Sequence, residues 1–156
     1  MSLPRTLHKW SSVSAEERCL FIEAVVWLGV MRLAILLLPF RWIVRGFRLA
    51  QGPGGVCPRG VADARAARIG LAIARGGAYT PWQCTCFTQS LTGMAMLRRR
   101  GMPGTLYLGV AHAAGAITAH SWLCSGTSIL TGAFTAPQFI PVASFTWRIS
   151  SCVGAQ

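Results

Sequence analysis

The sequence predicts an α+β fold: N-terminal helices plus a further, cysteine-bearing helix packed on a small antiparallel sheet. Two observations predict it. Up to Gly101 the apolar residues recur at helical spacing, and after Gly101 they fall in short alternating runs separated by turn residues. Helices first and strands afterwards is the order of a helical layer covering one face of a sheet. The 156 residues suit one domain with its own core. The chain reads as a single domain over residues 1–156, with an N-terminal helical part at 1–50 and a core at 78–147 that carries the candidate chemistry.

The elements follow in order. Ser14 is a capping residue, with Glu16 and Glu17 in the first turn where the helix dipole favours anions, and apolar residues then run to Pro39. Arg41, Arg45 and Arg48 recur at helical spacing in a second short helix. Gln51 to Gly55, QGPGG, is a loop by composition. Gly60 to Arg75 is Ala-rich. Arg65, Arg68 and Arg75 lie on its polar side, Ile69, Leu71 and Ile73 supply apolar contacts, and Gly76–Gly77 is expected to end it. In the next helix Phe87, Leu91, Met94 and Ala95 share one face, Arg98 to Arg100 fill the last turn and Gly101 is a stop residue. Its start has two readings: a capping box at Thr80 with Pro81 at the first helical position, or a later start near Thr85. Either puts Cys86 in the first or second turn. The strands are Thr105 to Ala111, Ala116 to Leu123 and Thr127 to Gly132, with turns at His112 to Gly115 and Cys124 to Gly126. Phe139 to Phe145 reads as one more strand, at an edge because of Pro141.

Composition narrows the function. Hydrophobic residues make up 53% and charged residues 12%, with a net charge of +11 from 15 basic and 4 acidic side chains. Lys9 is the only lysine, and the acids are Glu16, Glu17, Glu23 and Asp63. A nucleic-acid partner is discounted, because the arginines are scattered apart from Arg98 to Arg100, with no zinc-finger spacing, basic arm or aromatic-interleaved basic strand. The bland reading of the charge is solubility, and an acidic peptide or protein is the next. The six cysteines, 19, 57, 84, 86, 124 and 152, follow no secretory signal, so a reducing cytoplasm and mostly buried free thiols are expected. Ala24 to Phe40 is the best membrane candidate, but it is 17 residues long, ends in Pro39–Phe40 and carries Arg32 near its middle. A span wants about 20 apolar residues, and a central Arg costs about 2.5–3.5 kcal/mol. A buried or membrane-surface helix is the better reading.

The stretch WQCTCFTQSLTGMAMLRRRG, Trp82 to Gly101, raises the question of a reactive thiol. A helix start and a neighbouring imidazolium both favour a thiolate. Cys86 has the helix start, and His120 lies on a strand of the sheet expected to pack on that helix. On these two residues alone a buried Cys and a satisfied core His is the commoner outcome. A zinc site drawn from Cys84, Cys86, His120 and Cys124 is the weaker rival, since Cys-x-Cys on a helix is a poor metal loop.

The order CFTQSLTGMAMLRRRGMPGTLYLGV followed by AHSWL resembles the B-protein family of lasso-peptide biosynthesis, leader peptidases with a papain/transglutaminase-like fold. The matching residues are Cys86–Phe87, Leu97 to Gly101, Leu108 to Val110 and Ala119 to Trp122; the helices from Glu16 to Arg41 also resemble the family's opening, so the likeness spans about Glu16 to Phe145. The resemblance implies a cysteine protease that removes the leader of a ribosomally made precursor peptide. Cys86, fifteen residues before Gly101, is then the nucleophile and His120 the general base. Cys84 and His112 inherit no role. Trp122, at i+2 from His120, shields the site or shapes the substrate groove. No cofactor and no metal is implied. The implied partners are the precursor as substrate, a leader-binding recognition protein for which this short chain has no room, and a lasso cyclase. The apolar first helix and the Arg41, Arg45, Arg48 face are candidate docking surfaces.

One departure matters. The family places an Asp on the next strand about a dozen residues after the His, and here that region reads Leu130-Thr131-Gly132, with no Asp, Glu or Asn after His120. Thr131, Gln138 or a backbone carbonyl is left to orient His120, or Asp63 or Glu23 reaches in from a distant helix. Two rival functions stay open: a non-catalytic binding or scaffold member of the same fold, and a membrane-associated helical protein.

Overall fold

A computed structural model describes residues 14–53, 63–113, 116–133 and 136–147. The order is α1 (Ala15–Leu37), α2 (Phe40–Gly46), β1 (Leu49–Pro53), α3 (Ala64–Tyr79), α4 (Cys86–Arg99), β2 (Thr105–Ala113), β3 (Ala116–Ser125), β4 (Ser128–Thr131), a 3-10 turn (Ala136–Gln138) and β5 (Ile140–Trp147). This is the expected α+β fold, with a five-stranded antiparallel sheet in the order β1-β5-β2-β3-β4.

α1 starts where its cap predicts: the Glu17 N–H donates to Ser14 Oγ at 3.2 Å. Its buried residues Leu20, Ala24, Leu28 and Met31 follow the i, i+4, i+8, i+11 rule of one helical face. That face packs on α3 and α4. α3 is capped by the Asp63 carboxylate, which accepts the Arg65 N–H at 2.8 Å. It runs through Gly76–Gly77 to Tyr79 instead of ending there. A Cβ on Gly76 would stand 3.2 Å from Leu28 Cδ1, so this glycine permits a close helix crossing and does not mark a stop. α4 lays Leu91, Met94 and Leu97 against Leu106, Leu123 and Phe145 of the sheet, and these form the main core.

Two strand expectations are corrected. Gln51 to Pro53 form part of β1, not a loop, because the free edge of β5 takes them up in register with Phe145 to Ala143. Gly54 and Gly55 lie outside the described residues. β5 is central, not an edge, yet Pro141 breaks no ladder. It sits opposite Gly109 at a register shift in the β2–β5 pairing, and β1 reaches only as far as Ala143.

The LRRRG run is internal fastening. Arg100 pairs with Glu23 at 2.6 Å and Arg99 with the same carboxylate at 3.3 Å, joining α4 to α1. Arg98 donates to the Gly46 carbonyl at 3.3 Å and lies 5.8 Å over the Trp147 ring. Of the cysteines expected to be mostly buried free thiols, Cys19, Cys84 and Cys86 are free, with Cys19 exposed, and Cys124 is disulfide-bonded. That expectation rested on the missing secretory signal, which does not tell which sulfurs lie within bonding reach.

Candidate active site

Cys86 is the first residue of α4, and the later of the two predicted starts is the observed one. Thr85 is the cap. Its Oγ1 accepts the Thr88 N–H at 3.3 Å and lies 2.9 Å from Thr88 Oγ1. The Gln89 N–H is taken by the Thr85 carbonyl at 3.0 Å. The Cys86 and Phe87 N–H groups are thus the ones left at the open end of the helix, where orphan donors point at whatever binds there. The Cys86 side chain is half-buried.

Cys84 does not share the helix. It lies in the connection from α3, with Sγ 3.0 Å from Thr80 Oγ1 and its carbonyl accepting from Gln89 Nε2 at 3.0 Å. Thr80 also donates to the Gly77 carbonyl at 3.2 Å, so it belongs to the end of α3 and caps nothing in α4.

His120 sits at mid-β3, half-buried, with its ring 5.0 Å from Phe139 and 6.2 Å from Trp122. Trp122 is 4% exposed and stacks on Tyr107 at 5.7 Å and 10°. It is therefore a wall behind His120, not an open groove. Side chains alternate along a strand. Leu123 points into α4, so His120 and Trp122 take the sheet's other face, where Tyr107, Cys124 and Ala136 form a second small core. The expectation that His120 faces the body of the Cys86 helix is corrected by that parity. Among the described residues no hydrogen bond joins Cys86 to His120.

The helix of Cys86 and the strand of His120 both reach the end of β4. Ser90, one turn after Cys86 on the same helical face, hydrogen-bonds through Oγ to Thr131 Oγ1 at 3.0 Å in a buried pair. The next residue, Gly132, presents its carbonyl 3.4 Å from His120 Nε2. The strand ends at Thr131, so Ser90 of α4 and His120 of β3 meet consecutive residues at its end.

Of the groups expected near His120, a backbone carbonyl is the one found against it among the described residues. Thr131 is engaged with Ser90, and Gln138 is exposed on the 3-10 turn. Asp63 caps α3, and Glu23 is held by Arg99 and Arg100, so no distant carboxylate comes in. The Gly132 carbonyl stands twelve residues after His120, where the Asp was expected. A carbonyl only accepts, so this contact needs a proton on Nε2. Gly132 has φ +74, and a Cβ there would lie 2.8 Å from His120 Nε2 and 2.9 Å from the Ser121 carbonyl. A glycine directly after a strand, twelve residues past the His, is the sequence signal that side-chain reasoning passed over.

The zinc constellation is not assembled. Cys124 is in its disulfide, Cys84 is at Thr80, and the described residues hold no group of three or more His, Cys, Asp or Glu placed to share an ion. His112 is exposed on β2 opposite Ile117.

Residues 34–144 match the family model described as the transglutaminase-like superfamily. No curated protein and no solved structure matches the chain.

Proposed function

The chain belongs to the transglutaminase-like superfamily, and from that premise we propose that it is a cysteine peptidase removing the leader from a ribosomally made lasso-peptide precursor in the cytoplasm. The observation that carries the proposal is the thiol of Cys86 at the first position of α4, linked around the end of β4 to His120. The thiolate of Cys86 attacks the scissile carbonyl. His120 accepts the thiol proton and returns it to the leaving amine, while the Gly132 carbonyl supports the ring. The Cys86 and Phe87 N–H groups meet the oxyanion. Water then releases the acyl group from Cys86. His120 lies on the sheet face away from α4, so this mechanism requires the end of β4 to bring Cys86 and His120 together when substrate binds. No cofactor enters the reaction.

The precursor is the substrate, a leader-binding recognition protein presents it, and a lasso cyclase takes the freed N-terminus. The second reading, a non-catalytic scaffold of the same fold, is favoured by one observation: a carbonyl stands where a carboxylate would orient His120. The deciding experiment incubates purified chain and recognition protein with precursor and follows leader release by mass. Release that disappears in Cys86→Ala supports the peptidase. A wild-type chain that binds precursor but never cleaves it supports the scaffold.

A further inference from the structure

α1 is apolar on two opposite faces. One carries the buried Leu20, Ala24, Leu28 and Met31. The other carries Ile22, Val26, Val30, Leu33 and Leu37, two residues out of phase and exposed, with Leu37 at 71%. A helix on the surface of a soluble domain turns polar residues outward, and this one does not. The exposed stripe continues past the helix end into Leu38, Phe40 and Trp42, the last 55% exposed. Arg41 and Arg45 are exposed beside it. A groove of about 580 Å³ opens next to it between α1, α2 and α4, walled by Trp27, Leu38 and Trp42, with Arg98 and Arg99 on its lining.

We propose that this outward face of α1 and α2 binds the surface of an anionic lipid bilayer. Interfacial helices lie in the membrane plane with an apolar side in the acyl boundary and a polar side in water; here the packed protein body takes the place of the water-facing side. The stripe from Ile22 to Leu37 is about 22 Å long at 1.5 Å per residue. Trp42 is a residue type suited to the headgroup level, and the flanking arginines extend their charge to lipid phosphates. Charge selects the occupant. The chain is +11, its acids Glu16 and Glu17 sit at the far end of α1, and Glu23 is already neutralised by Arg99 and Arg100. A second copy would bring the same positive charge to the contact. A spanning helix would strip Leu20, Ala24, Leu28 and Met31 from the core. This surface is independent of the peptidase reading.

The test is co-sedimentation of the full chain with extruded vesicles of phosphatidylcholine, with and without phosphatidylglycerol. The chain is expected to sediment with the phosphatidylglycerol vesicles, to bind less at high salt and to be released by alkaline carbonate. The triple variant Val26→Ser, Val30→Ser, Leu33→Ser should bind about tenfold more weakly or less. Arg41→Glu with Arg45→Glu should remove the preference for anionic lipid. Ile117→Ser, an exposed apolar residue on β3, should bind as the parent does. Circular dichroism and labelling of Cys86 by a small thiol reagent identify any variant that has failed to fold. The proposal is overturned if the chain stays in the supernatant with every vesicle, if folded stripe variants bind like the parent, if the chain resists carbonate extraction as a spanning helix, or if light scattering shows a dimer that buries the stripe.

Discussion

Cys84 and Cys86 lie two residues apart and meet different surroundings: one is in a connection with its sulfur on Thr80, the other opens a helix. Cys86→Ala should abolish leader release, because no other group there forms the acyl-enzyme. Cys84→Ala should keep most of it, and leader-release kinetics on the two folded variants compares them directly. Equal losses would remove the assignment. His120→Ala should slow release by about 10²–10⁴-fold, the range for a positioned general base, while His112→Ala should be near neutral. Gly132→Asp restores the acid the resemblance calls for, yet it should lower both activity and thermal stability. A side chain at φ +74 is strained by about 1–2 kcal/mol, and its Cβ would crowd the Ser121 carbonyl. Recovery of rate in Gly132→Asp would overturn the carbonyl as orienter. That Cys86 stands at a helix start and His120 on a strand was legible in the sequence. The orienter was not, because a carbonyl belongs to every residue and only the turn at Gly132 aims this one.

Glu23 joins two helices that are far apart in sequence, accepting from both Arg100 and Arg99. The Arg100 hydrogen bond, opposed by partial burial and aided by the charges of both arginines, holds the Glu23 carboxyl below its ordinary 4.5. A lowered folded pKa means stability that is present above the unfolded value and is lost as pH falls through the folded one. Glu23→Gln should therefore cost about 1 kcal/mol near neutrality and approach no cost well below pH 4.5, read as the parent–variant difference in urea midpoint across that range. A constant difference would show that packing, not charge, is lost. Helices were the readable elements, since Ser14 and Thr85 each cap where a short polar residue precedes an apolar period, while the Asp63 cap of α3 was not foreseen. Gly76–Gly77 misled because one residue type serves both helix stops and close crossings. Pro141 misled because an irregularity in the ladder is invisible until strands are paired.

At the scale of the molecule, the catalytic half and the substrate-positioning task are expected to reside in different chains. The isolated protein should release leader slowly and accelerate when the recognition protein is added. Tethering two weak sites raises the effective concentration to about the mM range for a short linker. Initial rates with and without that protein measure the effect, and identical rates would remove the partner. The α+β class was legible because helices and strands occupy separate stretches of the chain. Sheet order was not: β5 enters between β1 and β2 by pairings that span most of the sequence. The face taken by His120 was also hidden, because a shift of one residue in register reverses it. Which stripe of α1 faces outward was hidden for a related reason, since a helix apolar all round does not announce which stripe the core will use.

The contact that holds His120 has no codon of its own. An acid on a side chain is lost by one nucleotide change and regained by another. The Gly132 carbonyl is carried by the backbone, so a substitution at 132 disturbs it through strain at φ +74 and the crowding that any Cβ brings, whatever the side chain's chemistry. A saturation scan should thus see position 132 as a test of backbone shape, with acidic residues faring no better than apolar ones, while position 120 accepts nothing but His. Descendants of this sequence lose the orienting contact through the shape of the turn, whereas a lineage whose base leans on a carboxylate loses it with one side chain.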